Sequence, residues 1–302
     1  MKTKENLRRL STEQTNPASK DLDKKSALQI ARIINSEDAK VTAAVKRALP
    51  QIARAIDLIA TALRNRGRLI YVGAGTSGRI AALDAAECPP TFNTSPKMVQ
   101  FVIAGGEKAL AAAVEANEDS RELGERAIAQ RKPNKKDVVV GIAASGRTPF
   151  TVAAIEYARK LGAKTIAVTC NRNSPLGNAA HIEIVAEVGP EVVSGSTRMK
   201  AGTAQKMILN MLSTGAMTRL GYVYGNLMVN VHVKNKKLEE RGISILERAS
   251  GVTRAEAQAA LKAAHNQVPA ALVILKRGST RAQARDALRK SHGNVRKAIE
   301  NA

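Results

Sequence analysis

The chain has 302 residues, 44% of them hydrophobic, and its 48 Lys and Arg residues against 26 Asp and Glu residues give a formal net charge of +22. This composition is typical of a globular protein of one or two domains and excludes a wholly disordered chain. No apolar run approaches the roughly 20 residues that a membrane span needs, and the N-terminus lacks the apolar stretch of a secretory signal. We therefore expect a cytoplasmic protein without membrane contact.

The high positive charge has two possible partners, nucleic acid and anionic small molecules. Trp is absent and only 3 Phe and 4 Tyr residues occur, so the aromatic side chains that stack on bases are scarce. The basic residues are spread along the chain, and no zinc-finger, RNP or basic-zipper pattern is present. The composition therefore favours a solvated basic surface that attracts anionic small molecules, and we expect no nucleic-acid partner.

The two cysteines, Cys88 and Cys170, are too few for a disulfide framework. Neither they nor the four histidines have the spacing of metal ligands. Cys88 follows Glu87 directly but has no evident histidine partner, so we do not expect a nucleophilic cysteine. The sequence thus predicts a reduced chain without a metal site.

The first part of the chain predicts a polar arm followed by helices. Residues 1–25 are polar and rich in turn formers, whereas apolar residues recur at helical spacing over residues 26–66. Asn35-Ser36 interrupts this pattern, and Ser36 has the character of a helix N-cap. Two helices are therefore expected, the second of them kinked or interrupted at Pro50.

After residue 67 the pattern changes to short apolar runs that alternate with helical segments. Such runs are typical of buried parallel strands, and the alternation predicts βαβ units. The predicted strands are residues 68–73, 99–103, 137–142, 164–169 and 181–188. The expected fold class is therefore α/β, a doubly wound and mostly parallel five-stranded sheet preceded by helices.

The end of the chain has helical patterns without a strand signal. Three short patterns occur, at residues 253–265, 267–276 and 280–299. They predict a small helical domain at the C-terminus. The expected domains are an arm of residues 1–25, a sheet domain of residues 26–240 and a small helical domain of residues 241–302.

Three loops at predicted strand ends combine glycine with hydroxyl side chains. In an open parallel sheet, ligands bind beyond the carboxyl ends of the strands, and helix N-termini there favour anions. The loops are Gly73–Arg79, Ser145–Thr148 and Ser194–Lys200. The first has the glycine spacing of a dinucleotide fingerprint, but no acidic residue ends the next strand and no Walker lysine follows. We therefore expect a phosphorylated small molecule rather than a nicotinamide or flavin cofactor.

Two acidic sites follow neighbouring predicted strands. Glu87 precedes Cys88 and the pair Pro89-Pro90, which is expected to end the helix. A carboxylate at a helix C-terminus opposes the helix dipole, which is an unfavourable structural choice. The second site is the cluster at residues 115–120. Each carboxylate alone is typical of a solvated helix face, but together they are candidates for general acid–base catalysis.

Several longer segments together resemble one family, the N-acetylmuramic acid 6-phosphate etherases, which are sugar isomerase (SIS) proteins related to the glucokinase regulatory protein. The resemblance rests on Val72–Arg79, Leu83–Pro90, Glu115–Ser120, Val139–Pro149, Ser194–Gln205, Asn210–Gly215 and the arm segment Ser11–Asn16. These segments run through most of the chain in the family's order. The resemblance implies a SIS fold.

The resemblance also implies a bacterial cytoplasmic enzyme of peptidoglycan recycling, which cleaves the D-lactyl ether at C3 of N-acetylmuramic acid 6-phosphate. In the open-chain sugar the C1 aldehyde acidifies the C2 proton, which a base removes. An acid protonates the lactyl oxygen as it leaves, and water adds to the unsaturated aldehyde. This chemistry implies no metal ion and no cofactor. The implied partners are a phosphorylated amino sugar and a second copy of the chain.

By the same resemblance, Glu87 is expected to protonate the ether oxygen and Glu118 to be the second catalytic glutamate, with Glu115 a lesser candidate. The expected substrate and phosphate contacts are Gly75, Thr76, Ser77, Ser145, Thr148, Arg198 and Lys200. Two alternatives remain open, a non-catalytic sugar-phosphate sensor and a sugar-phosphate isomerase on the same fold. The presence of both glutamates favours the etherase.

Overall fold

The computed structural model of the protein describes residues 10–112, 117–231, 233 and 235–301, which form two compact units. The first comprises the described residues of Met1–Ala85 and Lys97–Leu212, and the second those of Ala86–Pro96 and Ser213–Ala302. The first unit contains the sheet and the second is built from helices. The boundaries expected from the sequence, after residues 25 and 240, stay a prediction.

The sheet of the first unit has five parallel strands in the order β2-β1-β3-β4-β5. The strands are β1 (Leu69–Gly73), β2 (Val99–Ile103), β3 (Val138–Ile142), β4 (Lys164–Thr169) and β5 (Ile182–Val185). Every residue of β1 and β3 is buried, which explains their uninterrupted apolar sequences, because a central parallel strand is covered on both faces. The predicted α/β fold and its parallel five-stranded sheet are confirmed.

Seven α-helices begin in the described part of the first unit. They are α1 (Ala27–Arg47), α2 (Leu49–Arg64), α3 (Gly75–Phe92), α4 (Arg121–Ala129), α5 (Pro149–Lys160), α6 (Pro175–Ala179) and α7 (Lys200–Leu220). The core of this unit joins β1, β3 and α5 through buried Val72, Val139 and Ile155. None of the described helices of the chain has the length and the apolar character that a membrane span requires.

The break between the first two helices lies at Ala48, so the expected break at Asn35-Ser36 is wrong. Ser26 caps α1 with a capping box, and the helix continues through Ser36 to its end. Pro50 lies in the first turn of α2, where its missing N–H costs no intrahelical hydrogen bond. A proline can begin a helix there, whereas a serine inside a helix is only mildly unfavourable.

Helix α3 continues through Pro89 and Pro90 to Phe92, so the expected helix end beside Glu87 is wrong. Both prolines lie in the last turn, and the N–H of Asn93 donates to the carbonyl oxygen of Pro89 at 2.9 Å. Glu87 therefore precedes the last turn of α3, and the argument that it opposes the dipole at the helix terminus does not apply.

Helices α4 and α5 approach each other closely at Gly124. A Cβ on Gly124 would lie 2.1 Å from the carbonyl oxygen of Phe150, a backbone atom that cannot move alone. We expect Gly124→Ala to lower the free energy of unfolding by about 1–3 kcal/mol, because the two helices must separate. Urea unfolding followed by circular dichroism measures the change.

The matched control for this substitution is Gly202→Ala, also within a helix. The nearest atom to a Cβ on Gly202, the Cγ2 of Thr76, is 3.5 Å away, which is an ordinary contact. Alanine is favoured over glycine in a helix, so the free energy of unfolding of this variant should be unchanged or higher by up to about 1 kcal/mol. A loss in Gly124→Ala no greater than in the control would contradict the close approach of the two helices.

The described part of the second unit contains five further helices. They are α8 (Lys236–Ser250), α9 (Arg254–Ala263), α10 (Val268–Arg277), α11 (Arg281–Lys290) and α12 (Val295–Glu300). Apolar side chains of α8, α9 and α10, among them Leu246, Leu261 and Leu272, form its main core. This unit therefore buries a core of its own.

Helices α9 to α12 are two copies of one helix–turn–helix. The pattern Thr-Arg-Ala-x-Ala-x-x-Ala-Leu-x-x-x-His-x-x-Val-x-x-Ala occurs once from Thr253 and again from Thr280. Both threonines form capping boxes, and the two histidines, His265 and His292, both have a φ of 51° in the turn. The single helical pattern expected over residues 280–299 is therefore wrong, since its turn at His292 separates α11 from α12 as His265 separates α9 from α10.

Candidate active site

The three loops rich in glycine and hydroxyl groups lie in the first unit, and two of them follow adjacent strands. Gly73 ends β1 and leads into α3, and Ser145 follows the neighbouring strand β3. The strand order reverses between β1 and β3, because β2 lies on one side of this pair and β4 on the other. Such a reversal opens the crevice in which α/β sheets bind ligands.

The carboxylate of Glu118 lies over the start of α3. Gly75 has a φ of +50°, and a Cβ on it would lie 3.1 Å from Oε1 of Glu118. The backbone carbonyl of Glu118 accepts a hydrogen bond of 3.0 Å from the N–H of Phe150 on α5. The glutamate therefore lies between the first turns of two helices, and its side chain is partly exposed.

Arg79, in the first of the three loops, supports the chain that leads towards Glu118. Its Nε donates to the carbonyl of Leu110 at 3.3 Å and its Nη2 to that of Ala112 at 2.8 Å. The guanidinium of Arg79 therefore binds the backbone carbonyls of Leu110 and Ala112. Glu115, the lesser catalytic candidate, lies outside the described residues, as does one of the four histidines, His232.

The first and third loops adjoin through the beginning of α7. The methyl group of Thr76 would lie 3.5 Å from a Cβ on Gly202, and the N–H of Gly202 donates to the carbonyl of Thr197 at 3.1 Å. Thr76 is partly exposed and Ser77 is buried in the first turn of α3. The structure therefore brings Gly75, Thr76 and Glu118 together and places the loop at residues 194–198 beside them.

The second loop presents two partly exposed hydroxyl side chains. Ser145 accepts a hydrogen bond from the N–H of Arg147 at 3.2 Å, which closes the turn after β3. Thr148 occupies the N-cap position of α5, yet its hydroxyl forms no capping hydrogen bond with its own helix.

The two basic residues of the third loop differ in their environment. Arg198 is exposed, whereas the side chain of Lys200 is only 1% exposed and its ammonium lies 2.6 Å from Oε2 of Glu37. Asn16 and Lys40 also donate to this carboxylate, at 2.9 and 2.5 Å. The structure therefore brings Arg198, but not the ammonium of Lys200, to the exposed surface of the loop.

Two buried carboxylates fix the start of α7. Burial raises the pKa of Glu37, but hydrogen bonds from Lys200, Lys40 and Asn16 outweigh it and hold the pKa at about 2. Glu191 accepts the N–H groups of Lys200 and Ala201 at 3.0 and 2.9 Å. Burial raises the pKa of Glu191, and these two hydrogen bonds offset part of that rise.

A buried carboxylate also joins α3 to its neighbours in the first unit. Asp84 accepts hydrogen bonds from the hydroxyl of Tyr71 on β1 at 2.8 Å and from the amide of Asn210 on α7 at 2.7 Å. These hydrogen bonds compensate the Asp84 carboxylate for the hydration that it loses on burial. Sequence reasoning assigned no role to Asp84, although it stands three residues before Glu87.

Glu87 belongs to the second unit, where its side chain is exposed on α3, and the adjacent Cys88 is buried. Its catalytic role stays a prediction, as do those of the residues in the three loops. Across residues 10–112, 117–231, 233 and 235–301, no group of three or more His, Cys, Asp or Glu side chains is arranged to hold a metal ion.

Comparison with known protein families agrees with this architecture. Residues 51–159 match the family described as "Glucokinase regulatory protein N-terminal SIS domain", and residues 132–215 match the SIS domain. In fold, the chain is similar to a phosphoheptose isomerase from Francisella tularensis, with a TM-score of 0.50 and 22% identity over 64% of this chain and 100% of the other. The two family matches together span residues 51–215, which contain all five strands of the sheet.

Similarity over nearly the whole chain is found with curated bacterial proteins. The chain is 51% identical to N-acetylmuramic acid 6-phosphate etherase 1 of Enterococcus faecalis over 90% of each chain. It is 52% identical to N-acetylmuramic acid 6-phosphate etherase of Rhodopirellula baltica over 89% of each. The family expected from the motifs is thereby confirmed. The chain belongs to the family of N-acetylmuramic acid 6-phosphate etherases.

Proposed function

We propose that this chain is a carbon–oxygen lyase that cleaves the D-lactyl ether of N-acetylmuramic acid 6-phosphate in cell-wall sugar recycling. Its products are N-acetylglucosamine 6-phosphate and D-lactate. The observation that carries the proposal is the position of Glu118, whose carboxylate lies over the start of α3, where a loop rich in hydroxyl groups offers N–H groups to a phosphate. A carboxylate beside an anion site suits proton abstraction from a phosphorylated sugar.

The reaction follows from the acidity of the open-chain sugar. Glu118 removes the C2 proton, which the C1 aldehyde acidifies, and the C3–O bond breaks while Glu87 protonates the departing lactyl oxygen. Water then adds across the C2–C3 double bond, with its oxygen at C3 and a proton at C2. Backbone N–H groups and the hydroxyls of Thr76, Ser145 and Thr148 hold the phosphate, and thereby fix the sugar relative to the base.

The residues of α3, the third loop and the start of α7 that complete this scheme are Gly75, Ser77, Arg198 and Lys200. Gly75 has no side chain and so leaves the backbone of the first turn of α3 accessible to the ligand, and Ser77 adds a first-turn hydroxyl. Arg198 offers a cation at the exposed loop surface. Lys200 acts through its ion pair with Glu37, which fixes the loop, rather than by contact with the anion.

A homodimer in the cytoplasm is part of the proposal. Large apolar side chains are exposed on the first unit, among them Leu28, Leu83 and Val193, which an interface with a second copy would cover. Cys88 and Cys170 are both buried thiols that form no disulfide, which fits a reducing compartment.

The test is incubation with N-acetylmuramic acid 6-phosphate in ¹⁸O-labelled water, without added metal, followed by mass spectrometry. We expect N-acetylglucosamine 6-phosphate with ¹⁸O at C3 and unlabelled D-lactate, because water attacks the sugar carbon after elimination. Fragmentation separates the label at C3 from the label that the C1 aldehyde acquires by hydration. The sugar incubated without protein serves as the control for that exchange.

Each alternative has its own signature in this experiment. Labelled lactate would contradict elimination, since the ether would then break on the lactyl side. A rearranged sugar without lactate would support the isomerase, and binding without any product would support the sugar-phosphate sensor.

A further inference from the structure

The arm segment from Ser11 to Asn16 has no part in the proposed reaction, yet the structure anchors it at both ends. At its beginning, the N–H and the hydroxyl of Ser11 both donate to Oδ1 of Asn171, at 3.0 and 2.9 Å. The amide of Asn171 donates in turn to the hydroxyl of buried Thr12 at 3.2 Å and to the carbonyl of Ala144 at 3.1 Å. Because Asn171 follows β4 and Ala144 precedes Ser145, this anchor lies at the carboxyl edge of the sheet.

The second anchor is Asn16, whose side chain is buried. Its amide donates to Oε2 of Glu37 at 2.9 Å and to the carbonyl of Pro190 at 3.0 Å. Its Oδ1 accepts the N–H of Ala18 at 3.0 Å, so both ends of the amide are used. Since Glu37 also binds Lys200, the arm and the start of α7 share one buried carboxylate.

Between the two anchors, Glu13 is held with its carboxylate beside the third loop. Its Oε2 lies 3.4 Å from the position of a Cβ on Gly195, which has a φ of +77°. Glu13 is exposed, and no residue in the described part of the chain forms a hydrogen bond or an ion pair with its carboxylate. Two buried anchors thus fix an acceptor that has no partner among the residues the structure describes.

We propose that Glu13 is a substrate-binding residue whose carboxylate accepts hydrogen bonds from the neutral donors of the amino sugar, its hydroxyl groups or its acetamido N–H. An ionised carboxylate only accepts hydrogen bonds, and it repels a phosphate. It therefore suits the part of the ligand that carries hydroxyl and amide donors. This inference rests on the proposed function, because it presumes a phosphorylated amino sugar in the crevice.

The experiment is calorimetric titration of the full chain with N-acetylglucosamine 6-phosphate and, separately, with inorganic phosphate. The variants are Glu13→Ala and Glu13→Gln, and the matched control is Gln14→Ala, an exposed neighbour on the same arm. We expect Glu13→Ala to bind the sugar phosphate about 10- to 100-fold more weakly, the loss typical of a hydrogen bond to a charged group, with phosphate binding unchanged. Glu13→Gln should lose less, because its amide keeps one acceptor oxygen.

The steady-state kinetics provide a second readout. We expect Glu13→Ala to raise KM for N-acetylmuramic acid 6-phosphate with little change in kcat, because the lost contact is present in the bound substrate and in the transition state alike. Sugar-phosphate binding in Glu13→Ala equal to that of the control would overturn the inference. So would an equal loss of phosphate and sugar-phosphate binding, which would mean that Glu13 only holds the loop. If the unaltered chain does not bind the sugar phosphate, the proposed function itself fails.

Discussion

The Glu118→Gln variant should lose both the exchange of the substrate's C2 proton with solvent and the release of D-lactate, by roughly two to four orders of magnitude. The substitution preserves the shape of the side chain and the backbone contact to Phe150, but an amide cannot accept the proton. Both losses follow from one cause, because elimination requires the C2 carbanion. Proton NMR in deuterated water measures the exchange, and an enzymatic lactate assay measures the cleavage.

The companion variant Glu87→Gln separates the two steps of the reaction. It should bind substrate and exchange the C2 proton, yet release lactate roughly two to four orders of magnitude more slowly, because only the protonation of the leaving oxygen is removed. If Glu118→Gln blocks both proton exchange and lactate release while Glu87→Gln blocks only lactate release, then Glu118 is the base and Glu87 is the acid.

The matched control is Glu122→Gln. Glu122 is an exposed glutamate on α4, paired with Arg126 one turn away, and such pairs contribute little to stability. The Glu122→Gln variant should exchange the C2 proton and release D-lactate at the same rates as the unaltered chain. Exchange retained in Glu118→Gln would place the base elsewhere, and normal lactate release by Glu87→Gln would exclude it as the acid.

The Lys200→Met variant should lower the free energy of unfolding by roughly 3–5 kcal/mol, the usual loss when one partner of a buried ion pair is removed. Its ammonium and the Glu37 carboxylate are 1% and 3% exposed and lie 2.6 Å apart. Without Lys200 the carboxylate stays buried without its main cation. Denaturant unfolding measures the loss, and the double variant Glu37→Leu/Lys200→Met should recover most of it, because neither charge of the pair is then left buried.

Lys40 provides the matched control, since it contacts the same carboxylate from the surface. Its side chain is 61% exposed and its ammonium lies 2.5 Å from Oε1 of Glu37. We expect Lys40→Met to cost at most about 1 kcal/mol, because the Lys40 ammonium is largely solvated and the Glu37 carboxylate keeps its bond to Lys200. Equal losses in Lys40→Met and Lys200→Met would contradict the argument that burial makes the Lys200 pair the stronger one.

The same ion pair should make the free energy of unfolding depend on pH in the acidic range. Because Glu37 has a pKa of about 2 in the folded chain against an ordinary value of 4.5, its stabilising contribution is complete above about pH 4.5. It is lost as the pH falls from 4.5 towards 2. Lys200→Met removes one of the hydrogen bonds that lower the pKa of Glu37, so we expect this pKa to rise and the stability difference between the two proteins to shrink as the pH falls. A difference independent of pH would contradict this assignment.

The internal repeat of the second unit was available from the sequence, since the same pattern starts at Thr253 and at Thr280. Helical periodicity alone hides it, because the apolar spacing continues through the turn at His292. Aligning the two copies locates the turn at His292. The equivalent turn in the first copy, at His265, follows the end of a helix that the sequence pattern does indicate.

The sequence by itself determined the parallel sheet, the strands and the loops at their carboxyl ends. Each central strand is buried on both faces and therefore has a continuous apolar sequence, and the glycines and hydroxyls after it are local features. The family motifs likewise identified the glutamates as candidates, since a motif is a local pattern of residues.

Only the tertiary structure decided what the charged residues of these segments contact. Lys200 follows Arg198 by two residues in the sequence pattern of an anion loop, but it pairs with Glu37, which is 163 residues away along the chain. Asn171 and the arm at Ser11 are likewise separated by 160 residues. Local spacing constrains neighbours within a few residues, whereas the partner of a buried charge is set by which elements the fold packs together.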